Sequence, residues 1–137
     1  MNETMEKESD NIITHLAINR ELCGTPQYTK NGKSSVKLKT TPEMGADDTG
    51  LVHGGFIFGL ADYAAMIAVN HPHVVLGSSE VKFLKPVRVN DTLFAEAETT
   101  SGQGKKRMVS VTVTRDSDPV FTGQFTCFVL ENHVLGK

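Results

Sequence analysis

The chain has 137 residues, of which 39% are hydrophobic and 22% are charged. This length and composition fit one domain over residues 1–137 and leave no room for a second. The 14 basic and 16 acidic residues give a net charge of −2, so the overall charge favours neither nucleic acid nor a membrane surface as a partner. No apolar segment reaches the roughly 20 residues that span a bilayer, and the acidic start does not resemble a signal peptide. We therefore expect a cytoplasmic protein.

The first third of the chain predicts a frayed start, a short helix and a hairpin. Residues 1–10 are polar and acidic, and we expect them to fray. Apolar residues then recur at helical spacing and predict a short lid helix: Ile12, Ile13, Leu16 and Ala17. Asn31 and Gly32 are typical of a two-residue hairpin turn, which predicts antiparallel strands at 22–29 and 34–40. Residues 42–50 are rich in turn formers and predict a loop.

The most informative segment follows this loop. Residues 56–69 are apolar all the way round at helical spacing, which is typical of a helix buried on every side. The only carboxylate in this run is Asp62. A buried acid is costly to ionise unless it is paired, and such groups often have raised pKa values and catalytic roles. Asp62 is therefore the first candidate for a catalytic residue. The alternative is a structural acid that backbone N–H groups or Tyr63 satisfy.

Four further strands follow the helix. The pattern predicts them at 74–84, 92–99, 106–115 and 120–130, with apolar and polar residues alternating in the second and third. The connections between them are short enough for antiparallel neighbours. The predicted fold is α+β, with one long central helix wrapped by an antiparallel sheet of five or six strands. Because so short a sheet leaves part of the helix uncovered, we expect a second subunit to cover the rest.

Gly54 and Gly55 stand where the loop becomes the helix. Unpaired N–H groups and the positive end of the helix dipole point outward there and could hold an oxyanion. Asp62 lies eight residues after Gly54, or about 12 Å along the helix axis. One copy of the helix cannot bring both groups to one carbonyl, whereas two antiparallel copies about a two-fold axis can. A real site of this kind requires at least a dimer.

No metal site is expected. Cys23 and Cys127 match no metal-binding spacing and predict buried, reduced thiols. His71 and His73 flank a proline, and a pair at this spacing without a third ligand is typical of a solvent-facing turn.

The segment Gly50–Asp62, read GLVHGGFIFGLAD, resembles the HGGxxxxLxD signature of hotdog-fold acyl-CoA thioesterases of the phenylacetic-acid-pathway type. The segments 41–44, 81–86 and 90–91 are also similar to the family in type and order, so the resemblance covers roughly residues 14 to 130. It implies a hotdog fold, a homodimer whose sheets join edge to edge, with a dimer of dimers left open, and hydrolysis of an acyl-CoA substrate without metal, cofactor or prosthetic group.

Carried over residue by residue, the resemblance makes Asp62 the general base or nucleophile, Gly54 N–H the oxyanion donor, and His53 the residue that orients the carbonyl or the loop. Gly55 is counted with the substrate-binding residues. So is Asp47, which stands where many relatives have asparagine. A second carboxylate near Asp62 would raise a pKa rather than help to hold water.

Three cations are expected to meet the phosphates of coenzyme A: Lys82, Lys85 and Arg88. The alternative for each is a solvated strand edge. Two other functions stay open at this point, a non-catalytic hotdog module that binds an acyl thioester and a hydratase or dehydratase of the same fold. The acyl chain, and the choice between coenzyme A and acyl carrier protein, are not predicted.

Overall fold

The computed structural model describes residues 9–136. In chain order the elements are α1 (Arg20–Cys23), β1 (Thr25–Lys30), β2 (Lys33–Lys39), a 3-10 turn (Pro42–Met44), α2 (Gly54–Val69), β3 (Val74–Phe83), β4 (Thr92–Gln103), β5 (Lys106–Arg115) and β6 (Asp118–Val129). The predicted α+β fold is confirmed. The long helix begins at Gly54, two residues before the apolar run that predicts it.

The six strands form one antiparallel sheet in the order β1-β2-β4-β5-β6-β3. Asn31 and Gly32 join β1 to β2 with positive φ angles of 52° and 79°, as the predicted hairpin turn requires. On β4 the apolar side of the alternation is buried against the helix: Leu93, Ala95 and Ala97. This alternation fixes which face of the sheet is the core.

Helix α2 packs chiefly on β2, β4 and β5. The side chains that it turns to the sheet are small or branched, and they are buried: Leu60, Ala61, Ala64, Ala65, Ile67 and Ala68. Two buried hydroxyls tie the sheet to the helix, because Ser34 Oγ donates to Ala64 O at 2.7 Å and Thr29 Oγ1 donates to Ile67 O at 2.5 Å. The helix axis is thereby held in place while one of its faces stays clear of the sheet.

The predicted lid helix at Ile12–Ala17 is wrong. That stretch forms a bend and a turn, and the short helix lies later, at Arg20–Cys23. Its position follows from capping, since the side chain of Asn19 accepts hydrogen bonds from the N–H groups of Glu21 and Leu22. At the end of the acidic start, Asp10 N–H donates to Thr29 O at 2.7 Å. Residues 1–8 lie outside the described part of the chain.

The expectation that each strand after the helix pairs with its neighbour in sequence is wrong for β3 and β4. β3 pairs with β6 at the edge of the sheet, whereas β4 lies between β2 and β5. The connection between β3 and β4 buries Val87 instead of turning tightly, and Val87 O accepts a hydrogen bond from Val52 N–H. This connection therefore runs beside the start of α2, and β3 is left with a free edge within the described chain.

Candidate functional site

The start of α2 is a helix end without a side-chain cap. His53 is the N-cap residue, but its side chain makes no capping hydrogen bond, so the first N–H groups of the helix gain no acceptor from it. The backbone here is fixed by the preceding loop, since His53 N–H donates to Met44 O at 3.0 Å. The imidazole is exposed and lies edge-on to the ring of Phe56. The structure thus places the predicted N–H donors at an open, electropositive helix end.

Gly54 lines a cavity of about 310 Å³ beside this helix end. Its walls come from the loop before the helix and from the end of β3, and they include Leu51, Val52, Ile57, Phe83 and Lys85. A Cβ added at Gly54 would lie 3.1 Å from the Phe83 ring, so glycine lets the helix start sit against this ring. Gly55 is exposed.

Asp62 lies two turns further along α2 and is half-buried. Its Oδ1 atom is buried and has no hydrogen-bond partner among the described residues, and the buried hydroxyl of Tyr63 has none either. The alternative of a structural acid satisfied by Tyr63 is therefore wrong for this chain. Burial raises the pKa of Asp62 from its ordinary 3.8 to about 6, because the charged form loses hydration.

Asp62 faces a second cavity, of about 400 Å³. Its walls include Met66 on the next turn of the helix, Val75 and Leu76 on β3, and Val134 near the end of the chain. Gly54 does not line this cavity, and Asp62 does not line the one at the helix start. One chain therefore holds the two predicted halves of the site apart, as the eight-residue spacing requires.

The helix face between these two cavities carries two glycines. Gly55, Gly59 and Asp62 share one face at intervals of four and three residues, and a Cβ added at Gly59 would meet nothing within 4 Å. Around the cavity at the helix start, Phe83 is 55% and Leu84 is 47% exposed. These are large apolar side chains on the surface of the single chain, near a helix face on which Gly55 and Gly59 carry no side chains.

Asp47 lies at the helix-start end and not beside Asp62 within one chain. Its carboxylate accepts hydrogen bonds from the N–H and the hydroxyl of Thr49, at 2.8 and 2.6 Å. These bonds lower the pKa of Asp47, since they favour the ionised form. The raised pKa of Asp62 comes from burial.

The three predicted phosphate-binding cations do not converge. Lys85 lines the Gly54 cavity and forms an ion pair with Asp118 at 2.7 Å. Lys82 lines another cavity, of about 420 Å³, between β3, β5 and β6. Arg88 is exposed and pairs through its backbone with Leu51. Lys85 is thus the one of the three that lines the cavity at the helix start.

Four residues on the Asp62 cavity were missed by sequence reasoning: Thr14, His15, His73 and His133. Thr14 and His15 fall in the stretch assigned to the lid helix, where the helical spacing concerns apolar residues alone.

Within residues 9–136 no group of three His, Cys, Asp or Glu side chains could hold a metal ion. No helix of the described chain is long and apolar enough to cross a membrane.

Two of the curated relatives that the chain matches have different names. The chain is 52% identical over 121 residues to a protein of Aquifex aeolicus named methylthioribose-1-phosphate isomerase, a match that covers 88% of this chain and 26% of that protein. It is 31% identical over 107 residues to the transcription factor FapR of Caldanaerobacter subterraneus, covering 77% of this chain and 54% of that protein. The chain thus spans about a quarter and about half of the lengths of these relatives.

Solved structures and a family model both match this chain, and they agree on its fold. An uncharacterised protein of Pyrococcus horikoshii is 52% identical, with a TM-score of 0.91 and coverage of 93% of this chain and 98% of that one. A hypothetical thioesterase of Streptococcus pneumoniae, solved with coenzyme A, shares the fold at 22% identity and a TM-score of 0.72, covering 80% and 87%. The model of the thioesterase superfamily matches residues 49–122, which span α2 and reach into β6. The chain therefore belongs to the thioesterase superfamily and has its hotdog fold.

Proposed function

We propose that this protein is an acyl-CoA thioesterase that hydrolyses its substrate with water activated by Asp62. The observation that carries the proposal is the Asp62 carboxylate, which faces a cavity with its buried Oδ1 unpartnered. An unsatisfied buried acceptor of this kind is suited to a water molecule. A thioester carbonyl is already electrophilic, so a positioned base and an oxyanion site are sufficient for its hydrolysis.

The proposed reaction has two steps. The water gives a proton to the ionised Asp62 carboxylate as its oxygen attacks the thioester carbonyl, and the carbonyl electrons move to oxygen to form an oxyanion. N–H groups at the start of α2 hold that oxyanion. The intermediate then collapses, the carbon–sulfur bond breaks, and the coenzyme A thiolate leaves and takes up the proton from Asp62. The products are the free acid and coenzyme A.

The proposed site is completed by a second copy of the chain. If Gly54 of one copy faces Asp62 of the other across a two-fold axis, the two helices cross near residue 58, midway between them. Gly59 lies next to this crossing, and the open space at its Cα would let the helix backbones approach closely. Leu51, Phe83 and Leu84, exposed in the single chain, would be covered. The free edge of β3 supports the expected joining of two sheets.

The relatives support the substrate class at a coarser level. Membership of the thioesterase superfamily and the shared fold of the Streptococcus pneumoniae protein solved with coenzyme A are consistent with an acyl-CoA ligand. Lys85, at the helix-start cavity, is the residue that we propose for a phosphate contact. The free thiols Cys23 and Cys127 agree with the expected cytoplasmic location.

A second candidate function is a module that binds an acyl thioester without hydrolysing it. The similarity to FapR, which is named a transcription factor, favours this candidate. So does Asp47, whose carboxylate is engaged by Thr49. Against it, a binding module has no need of an unpartnered acid in its central helix.

The first test is to incubate the protein with a panel of acyl-CoAs and a reagent for free thiols. The proposed enzyme releases coenzyme A, whereas the binding module shifts in melting temperature with ligand and releases none.

Subunit exchange tests the shared site. Asp62→Ala and Gly54→Pro chains are each expected to be inactive, while their mixed dimer carries both lesions in one site and leaves the other intact. Mixing should therefore restore activity, up to about half of the wild-type value per mixed dimer. No recovery between folded, exchanging subunits would refute the shared site.

A further inference from the structure

The segment before α1 is fastened over the C-terminal end of the central helix. Asn70, the C-cap residue of α2, adopts φ 55° and bonds this segment twice. Its Oδ1 accepts from Ile13 N–H at 2.9 Å, and its Nδ2 donates to Asn11 O at 2.8 Å. The helix that carries Asp62 therefore also fixes the path of residues 11–13 beside it.

This anchoring places the next two residues in the wall of the Asp62 cavity. Thr14 is only 4% exposed, and its hydroxyl lies 2.9 Å from Nδ1 of His15. The His15 ring packs against Tyr63, the residue after Asp62, with ring centroids 6.5 Å apart. Both His15 and Asp62 line the cavity. The imidazole is thus held on two sides while it borders the space that the carboxylate faces.

The backbone at His15 has a φ of 55°. The other residues with positive φ outside glycine are asparagine, aspartate or serine: Asn31, Asn70, Asn90, Asp116 and Ser117. Histidine can adopt this conformation, but left-handed backbone is uncommon for residues with side chains and is often found at functional sites. Here it turns the chain between the Asn70 anchor and α1.

We propose that His15 is a positioning residue that holds the attacking water against Asp62. The inference rests on the proposed thioesterase function. In this arrangement Nδ1–H donates to the Thr14 hydroxyl, and Nε2 is left as an acceptor towards the cavity. The water then donates one hydrogen to Asp62 and the other to His15 Nε2, which leaves an oxygen lone pair directed at the thioester carbonyl. Asp62 takes the proton, and His15 stays neutral throughout.

Only a neutral imidazole can accept this hydrogen bond. His15 is exposed overall, but partial burial of its ring lowers the pKa of His15 from its ordinary 6.5 and so favours the neutral form. The other titratable groups around Asp62 are Tyr63 on α2, Cys23 on α1, Cys127 on β6, and His73 and His133 on the cavity wall. Burial and the Asp62 charge raise the pKa of both thiols, so these remain uncharged beside it.

Two substitutions separate the water contact from the fold. His15→Asn suits a left-handed backbone and keeps a polar group near Thr14, but it is too short to reach the position of Nε2. His15→Gln reaches that position with its amide oxygen. We expect His15→Asn to lower kcat by about 10- to 100-fold, the range for a misplaced reacting group, with KM unchanged. His15→Gln should recover most of the loss. His71→Asn is the matched control, because an asparagine there can still accept from His73 N–H.

The pH profile gives a readout that a structural role would not move. In the wild type, the fall of log(kcat/KM) towards low pH should approach slope 2, because Asp62 and His15 must both be unprotonated. In His15→Gln the slope should remain 1. Wild-type rates for His15→Asn, or equal losses in the Asn and Gln variants with unchanged pH slopes, would overturn the water-positioning role while leaving the thioesterase proposal intact.

A measurement without substrate keeps the inference testable if no acyl-CoA is hydrolysed. The carboxyl ¹³C signal of Asp62 can be titrated by NMR in the wild type, in His15→Asn and in His71→Asn. We expect His15→Asn to raise the pKa of Asp62 further, because the carboxylate loses the water that His15 retains, and His71→Asn to leave it unchanged. An unchanged pKa in His15→Asn would overturn the inference. Absent hydrolysis with a shifted pKa would overturn the proposed function and support the contact.

Discussion

Replacing Asp62 by asparagine should make the folded protein more stable at neutral pH and remove its activity. Burial raises the pKa of Asp62 from 3.8 to about 6, so the folded chain binds a proton more tightly than the unfolded chain does. For an acid with a raised pKa, the folded state gains stability as the pH falls through the folded pKa and loses it as the pH rises. The unpartnered carboxylate thus destabilises the fold above pH 6.

The size of this effect follows from the pKa difference. The difference between a pKa of 3.8 and one of about 6 lowers the free energy of unfolding by about 3 kcal/mol once Asp62 is fully ionised, at 1.36 kcal/mol for each pKa unit. When the pH is lowered from 8 to 5, the same linkage raises the free energy of unfolding of the wild type by about 1.4 kcal/mol. Asp62→Asn lacks this gain. The variant cannot ionise, so its advantage should be largest at pH 8 and shrink on acidification.

Urea unfolding of both proteins at pH 5, 6, 7 and 8 measures this difference, and acyl-CoA hydrolysis at pH 8 measures the loss of the base. We expect a loss of activity of about 100-fold or more for Asp62→Asn, as for the removal of a general base. Parallel stability curves for the two proteins would refute the argument from burial. Hydrolysis at the wild-type rate would refute the catalytic assignment independently of stability.

Substitutions at three other residues, Gly59, His53 and Lys85, test the rest of the proposed site. Gly59→Leu should dissociate the proposed dimer in sedimentation assays and abolish turnover, and Gly59→Ala should weaken the dimer less, because the space at Gly59 is open in one chain and lies next to the proposed helix crossing, where a larger side chain displaces the partner backbone further. His53→Asp should stabilise α2 by about 1 kcal/mol in urea unfolding, since aspartate caps helix ends, and should slow hydrolysis because its charge competes with the oxyanion. Lys85→Ala should raise KM for acyl-CoA and leave kcat unchanged, with a loss of stability of less than about 1 kcal/mol because its ion pair is exposed. Lys82→Ala, whose side chain borders another cavity, is its control; equal KM effects would contradict the assignment of Lys85.

The central helix and the strands could be predicted from the sequence because each leaves a periodic signature. An all-apolar run of helical length can be satisfied only by burial, and its single acid then stands out. The turn at Asn31 and Gly32 is similarly local, since two positive φ angles favour these residue types. Periodicity decides which face of an element is buried.

Periodicity does not decide which element lies beside which. The short connection between β3 and β4 is compatible with direct pairing, but β3 pairs with β6, and β4 lies between β2 and β5. The position of His15 depends on two hydrogen bonds to Asn70, which is 55 residues further along the chain, and no local pattern encodes them. Asp47 is different, because an aspartate two residues before a threonine is typical of a local turn in which the carboxylate accepts from the following backbone. That signal was available and predicts the bond to Thr49.

Three residues of α2 or its N-cap are unfavourable for the stability of the single chain. All three lie at the uncapped start of the helix or on the face that carries Gly55 and Gly59. The helix begins with a histidine that does not cap it, Gly59 stands in mid-helix where alanine would favour helix formation by about 1 kcal/mol, and Asp62 has a buried oxygen without a partner. None of these features helps the single chain to fold. In the proposed dimer with a bound acyl thioester each becomes favourable, because the free N–H groups would meet an oxyanion, the glycine would admit a backbone and the acid would meet a water. Departures from local stability that coincide in this way are expected at functional sites, so the same three residues point to both the chemistry and the two-fold partner.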